Sequence, residues 1–368
     1  MSKWYKTAGF LMLTIGLATI SCKKENNNSP AQPGLDRKPM LENYANNYIV
    51  PAYADMVQQL TALKTSVQAF TNAPDATKLE AARTAWRNAY ITWQKVDLLE
   101  FGPAEEMVLR TYMNTYPVTV SKVNANISAG SYNLEEFGNR DALGFPALDY
   151  LLNGISIDMY TTDAQATQRK QYLLDVATTM LVKVNVVSDA WGAYKNTFVS
   201  APGTDVNSSI SQMVNSYVLY YERYLRAGKI GLPVGAMTGV AKADISEAYY
   251  SQDLSKELAA TALNSVLNFY TGKSYNGTST GESMKSYLGA IGTKEDNGIL
   301  IADLIETEMN AASAALSGLN GTLYNNIQNN RTQVLQVYEE LQDVVPLLKV
   351  DMVSAFSISI TYTDNDGD

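Results

Sequence analysis

Histidine is absent from the 368 residues, and cysteine occurs once. Without imidazole there is no Ser-His-Asp or Cys-His machinery, no two-histidine zinc site and no histidine general base. With one cysteine there are no disulfides, cysteine-rich zinc sites or iron–sulfur clusters. Positive charge is also scarce. Lys and Arg number 28 against 37 Asp and Glu, a formal charge of −9, and no cluster of them forms the basic stripe that a phosphate backbone requires. Nucleic acid is therefore not expected as a partner. Charged residues make up 18% and hydrophobic ones 46%, which is enough apolar surface for a large core, with disorder expected only at the ends.

The lone cysteine stands in a telling place. Residues 1–22 read as an export signal: Lys3 and Lys6 precede an apolar stretch, 8–20, that is too short to span a bilayer. It ends in Thr19-Ile20-Ser21-Cys22, which resembles a bacterial lipobox and would make Cys22 the lipidated N-terminus. Residues 23–39 form a polar, Asn- and Pro-containing tether. Lys23, rather than an aspartate, follows the cysteine, which points to the outer membrane with the body facing the periplasm or the cell surface. The membrane is thus the expected partner, through the anchor.

The body reads as all-α. Ile49, Tyr53, Met56, Leu60, Leu63, Val67 and Phe70 repeat at helical spacing, as do Leu79, Ala82, Trp86, Tyr90 and Trp93. A third stripe runs through Ile210, Met213, Val214, Tyr217 and Tyr221, and a fourth through Val334, Tyr338, Leu341 and Val345, where Pro346 should kink or end the helix. The loop around Pro202-Gly203 divides the body into two expected helical bundles, 40–200 and 205–368. The likeness of 88–93 to 215–220 hints at duplication. The single alternating run, 357–362, predicts a short strand or an extended tail.

Four stretches, in order, narrow the reading: Trp86 and Trp93 followed by Glu100-Phe101-Gly102-Pro103; Gly144-Phe145-Pro146-Ala147-Leu148-Asp149; Glu247-Ala248-Tyr249-Tyr250-Ser251, read as opening a helix that ends at Gly272; and Leu348-Lys349-Val350-Asp351 running to Asp364, Asp366 and Asp368. Together they resemble the imelysin family over roughly the whole mature chain. That resemblance implies two helical bundles with a cleft between them, and a site on a Gly-x-His-x-x-Glu motif. Here Gly144 matches, but Pro146 stands at the histidine position and Asp149 at the glutamate position. Proline offers no ligand atom, so the metallopeptidase activity implied by the family does not carry over, and no metal or catalytic residue is assigned. Pro146 suits the first turn of a helix, with Asp149 placed in the same turn.

The expected ligand cleft comprises Gly144, Asp149, Glu100, Glu247, Tyr250 and Ser251. No cofactor is assigned; iron held by phenolate and carboxylate, with Tyr249 and Tyr250 beside Glu247, or another divalent cation, stays open. The leading expectation is a non-catalytic, lipid-anchored binding or accessory protein, linked by family resemblance to iron uptake and to an outer-membrane uptake partner. The alternatives are a metallopeptidase-type hydrolase and a glycan- or peptide-binding lipoprotein.

Overall fold

The computed structural model describes residues 35–363; the export signal, Cys22, most of the tether, and Asp364, Asp366 and Asp368 lie outside the described residues. Each expected apolar stripe becomes the buried face of a helix. Helix α1 (Val50–Asn72) buries Tyr53, Met56, Leu60, Leu63, Val67 and Phe70. Pro74 closes it, because the residue before a proline avoids the helical region. Asp75 then caps α2 (Ala76–Val96), its carboxylate accepting from Lys78 N at 2.7 Å. Short α3 (Gly144–Asn153) carries the motif residues, and α4 (Ala166–Ser200) is a 35-residue helix packed on α1.

Beyond the loop 201–208, α5 (Ser209–Leu219) continues into a π-helical segment, Tyr220–Gly231. Helices α6 (Ser255–Thr271), α7 (Ile301–Gly318) and α8 (Arg331–Pro346) follow. As expected, α8 ends at Pro346; the chain then winds on as a π turn, Leu347–Met352. The halves on either side of 201–208 share one hydrophobic core, with α2 against α6, and the described residues from Asp36 onward form one compact unit.

Among the described residues no strand forms; two isolated bridges, Lys273 to Thr280 and Lys294 to Leu300, are the only ladder contacts. The run 357–362 is the extended tail rather than a strand. Asn215 holds it, donating from Nδ2 to Ser359 O at 3.0 Å and accepting from Thr361 N at 2.9 Å.

Candidate functional site

Three elements build the site: the end of α2, the start of α3 and the turns at 244–252. Gly144 opens α3 at φ +79°, and a Cβ there would stand 2.4 Å from Met113 O. The motif glycine therefore lets the α3 backbone lie directly on the chain leading to Asn114. Trp86 Nε1 donates to Phe145 O at 3.2 Å, and Tyr90 stacks on the Phe145 ring with centroids 4.4 Å apart. The two family tryptophans are thus core residues that fix α3.

Asp149 lies in the second turn of α3, not the first, and so does not act on the helix dipole. Its side chain instead reaches the turn at 250: Oδ2 accepts from Tyr250 N at 2.8 Å, and Oδ1 from Asn153 Nδ2 at 3.0 Å. Burial pushes its carboxyl up to about 7, although those hydrogen bonds and one from Ser251 N pull the other way. Helix α6 begins only at Ser255, so Glu247 does not open a helix. Ala248 and Gln252 have φ of 53° and 45°, which breaks the helical path between them.

Glu247 is 2% exposed and turns into the protein. Its Oε2 pairs with Lys229 Nζ at 2.6 Å, and its Oε1 accepts from Gln94 Nε2 at 3.1 Å and Asn114 Nδ2 at 2.7 Å. Lys229 also donates to Gln94 Oε1 at 2.6 Å, and Tyr90 OH to Asn114 Oδ1 at 2.6 Å. Burial holds the Tyr90 phenol well above its ordinary value, so it remains a donor. Every acceptor of this buried cluster is engaged, and Glu247 does not join Tyr249 and Tyr250 in one ligand set.

The residues of the expected single cleft fall in separate cavities. One, of about 280 Å³, is lined by Asp149, Pro146, Asp244, Ser246, Tyr249 and Tyr250 among others. The second, of about 510 Å³, is lined by Glu100, Arg110, Arg223 and Tyr224 among others. Tyr116, Pro117 and Ile245 line both and form the wall between them. Glu100 faces the second cavity and caps a backbone: both its oxygens accept from Arg110 N at 3.1 Å. Burial pushes its carboxyl up to about 7 as well. Arg110 in turn pairs with Asp97 at 2.5 Å, and its guanidinium lies 3.9 Å from the Tyr224 ring centroid. Ser251 lines a separate polar groove of about 390 Å³ on the far side of Tyr250, beside Arg83, Arg87 and Asp253.

Asp149 and Tyr250 therefore line one cavity and Ser251 the groove beside it, while Gly144 lies at the buried start of α3, Glu100 is walled off and Glu247 is sealed beneath. Sequence reasoning did not single out Lys229, Gln94, Asn114, Tyr116 or Arg110. The one available signal was polar residues on otherwise apolar faces, as with Gln94 beside Trp93 and Lys229 beside Ile230. No group of three or more carboxylates able to hold a metal occurs among the described residues.

Comparison with known proteins bears on this arrangement. The family model for Imelysin matches residues 49–345. The chain belongs to the imelysin family. This imelysin-family protein is 23% identical over 305 residues, 80% of its length and 79% of the relative's, to "Iron-regulated protein A" of Synechococcus elongatus. Its fold is similar to that of an imelysin-like protein from Psychrobacter arcticum, with a TM-score of 0.69 and 19% identity. It is also similar to a protein named as an iron-regulated protein A precursor from Parabacteroides distasonis, with a TM-score of 0.72 and 18% identity. Each comparison covers 89% of this chain and 97% of the other. The imelysin resemblance and the all-helical fold expected from the sequence are both borne out.

Proposed function

We propose that this imelysin-family protein is an exported, lipid-anchored binding or accessory component of the cell envelope that does not hydrolyse peptides. The observation that carries the reading is the state of the motif. Pro146 stands where the family pattern places its histidine, and Asp149 already accepts from Tyr250 N and Asn153 Nδ2. A catalytic zinc needs about three protein ligands and an open position. Carboxylates alone are a poor set for zinc and suit harder ions. What is left around Asp149 is a walled cavity, which suits ligand binding.

The names of two relatives refer to iron regulation, and one to a precursor. They support export and production tied to iron supply for this chain too. The deciding experiment incubates the purified protein with unfolded peptides and Zn²⁺, with and without chelator. No chelator-sensitive cleavage is expected; cleavage that is lost in Asp149→Ala overturns the reading. For the anchor, Cys22→Ala should move the protein from the membrane to the soluble fraction, and a variant still membrane-bound at unchanged mass sinks that part.

A further inference from the structure

Arg223 lines the larger cavity, of about 510 Å³, and is half-buried there. Arg110, the other cation of the described lining, is paired with Asp97 at 2.5 Å. Arg223 has no ion pair among the described residues. Its Nη2 donates to Thr363 O at 2.5 Å, and its Nε has no partner. Its Nη1 makes no hydrogen bond and is not fully buried. A guanidinium held partly out of water without a counter-charge is costly. This one leaves a place for an anion.

Val108, on the same cavity, is 49% exposed at φ 48° and ψ 46°. A β-branched side chain in the left-handed region is strained, and such strain gathers at ligand sites. Asparagine or glycine would relieve it, yet valine keeps an isopropyl group at the cavity's edge. Leu232, 44% exposed, does the same, and Leu219, Ile245 and Pro117 continue the apolar lining. The two carboxylates of the lining leave room for a bound anion. Glu105 is exposed, and both Glu100 oxygens accept from Arg110 N while burial pushes that carboxyl up to about 7. An inorganic anion would leave the apolar walls unmet, and a neutral alkyl group would leave Arg223 unpaired.

We propose that the larger cavity binds an aliphatic monocarboxylate of medium chain length, its carboxylate on Arg223 and its chain against Val108, Leu219, Leu232 and Ile245. The site lies apart from the motif cavity, so the proposal goes beyond the binding role around Asp149 and does not depend on it. A volume of about 510 Å³ is ample for such a ligand.

The test is calorimetric titration of the purified protein with octanoate, 1-octanol, octylamine and acetate. It is run at pH 6, where octanoate is ionised and Glu100 mostly keeps its proton. Octanoate should bind at least about tenfold more tightly than octanol or octylammonium, and at least about a hundredfold more tightly than acetate. Arg223→Gln should cut octanoate affinity roughly tenfold and leave that of octanol where it was. Arg223→Lys should recover part of the loss. Removing the guanidinium also takes away its bond to Thr363 O. Asn215→Ala frees the same tail with Arg223 in place, and should leave the affinity unchanged. Val108→Asn should weaken octanoate and octanol alike by about threefold while raising the thermal midpoint by about 2 °C, so that loss cannot be put down to unfolding. No octanoate binding, octanol or octylammonium binding as tightly, or an affinity that ignores Arg223→Gln overturns the proposal. So does an affinity untouched by Val108→Asn, or a loss in Asn215→Ala equal to that in Arg223→Gln.

Discussion

Asp149 and Glu100 are both pushed up to about 7 by burial, and they face cavities that share a wall of Tyr116, Pro117 and Ile245. Their surroundings are otherwise opposed. Around Glu100 stand Arg110 and Arg223, and its two oxygens are taken up by one backbone N–H. Around Asp149 there is no cation among the described lining residues, and an unpartnered serine hydroxyl lies nearby. A raised carboxyl therefore reports desolvation, not a role. The neighbours set the surroundings: Glu100 organises the turn that follows α2, whereas Asp149 ties α3 to the turn at Tyr250 beside its cavity.

The largest expected effect comes from breaking what lies under both cavities. Asn114 and Gly228 line the Glu100 side, Ser246 and Ala248 the Asp149 side, and the Lys229–Glu247 pair joins these segments. Lys229→Met leaves Glu247 charged and unpaired in the interior, which should lower stability by about 3–5 kcal/mol. Urea unfolding measures it, and adding Glu247→Gln should restore a large part. A loss below about 1 kcal/mol would separate the two cavities from any common floor.

A second measurement compares the carboxyls directly. Each has a folded value near 7, against ordinary values of 3.8 for Asp149 and 4.5 for Glu100. Between those limits the folded chain binds more protons than the unfolded one. The contribution of each group to stability is therefore complete below its ordinary value and is lost as the pH rises through about 7. Asp149→Asn and Glu100→Gln should each flatten the fall in stability between pH 5 and pH 8 by on the order of 1 kcal/mol or more. Unfolding curves at the two pH values decide this, and a variant with the same slope as the parent would contradict the desolvation of that group.

The smallest effect concerns the tail, which borders only the Glu100 side, where Thr361 and Tyr362 line a cavity of about 270 Å³ with Glu100. Asn215→Ala removes both bonds to the tail and should cost about 1–2 kcal/mol. It should also speed proteolysis after residue 356 while leaving octanoate affinity unchanged. A fall in that affinity would make the tail, not Arg223, the group that shapes the larger cavity.

How much of this was legible beforehand differs by residue. Helix α1 and its stop at Pro74-Asp75 follow from spacing and capping chemistry that lie within a few consecutive residues. The departure of Pro146 and Asp149 from the family pattern was equally plain. The roles of Glu100 and Glu247 were not. The local sequence predicts that Glu247 opens a helix, but the path around it is set by positive φ at Ala248 and Gln252, which no local propensity favours. Its partners come from α2, from the chain at 114 and from the π-helical segment, and nothing in their spacing links them.

Sequence alone determined that the protein is helical and that its imidazole chemistry is nil, because each of these depends on residue type or short-range order. Tertiary structure decided which carboxylate is ion-paired in the interior and which lies beside a cavity. A buried charge must be paired, hydrogen-bonded or neutralised, and the groups able to do that are supplied by packing. Glu247 met Lys229 and was sealed in; Asp149 met a backbone N–H and an amide, and kept a cavity in front of it.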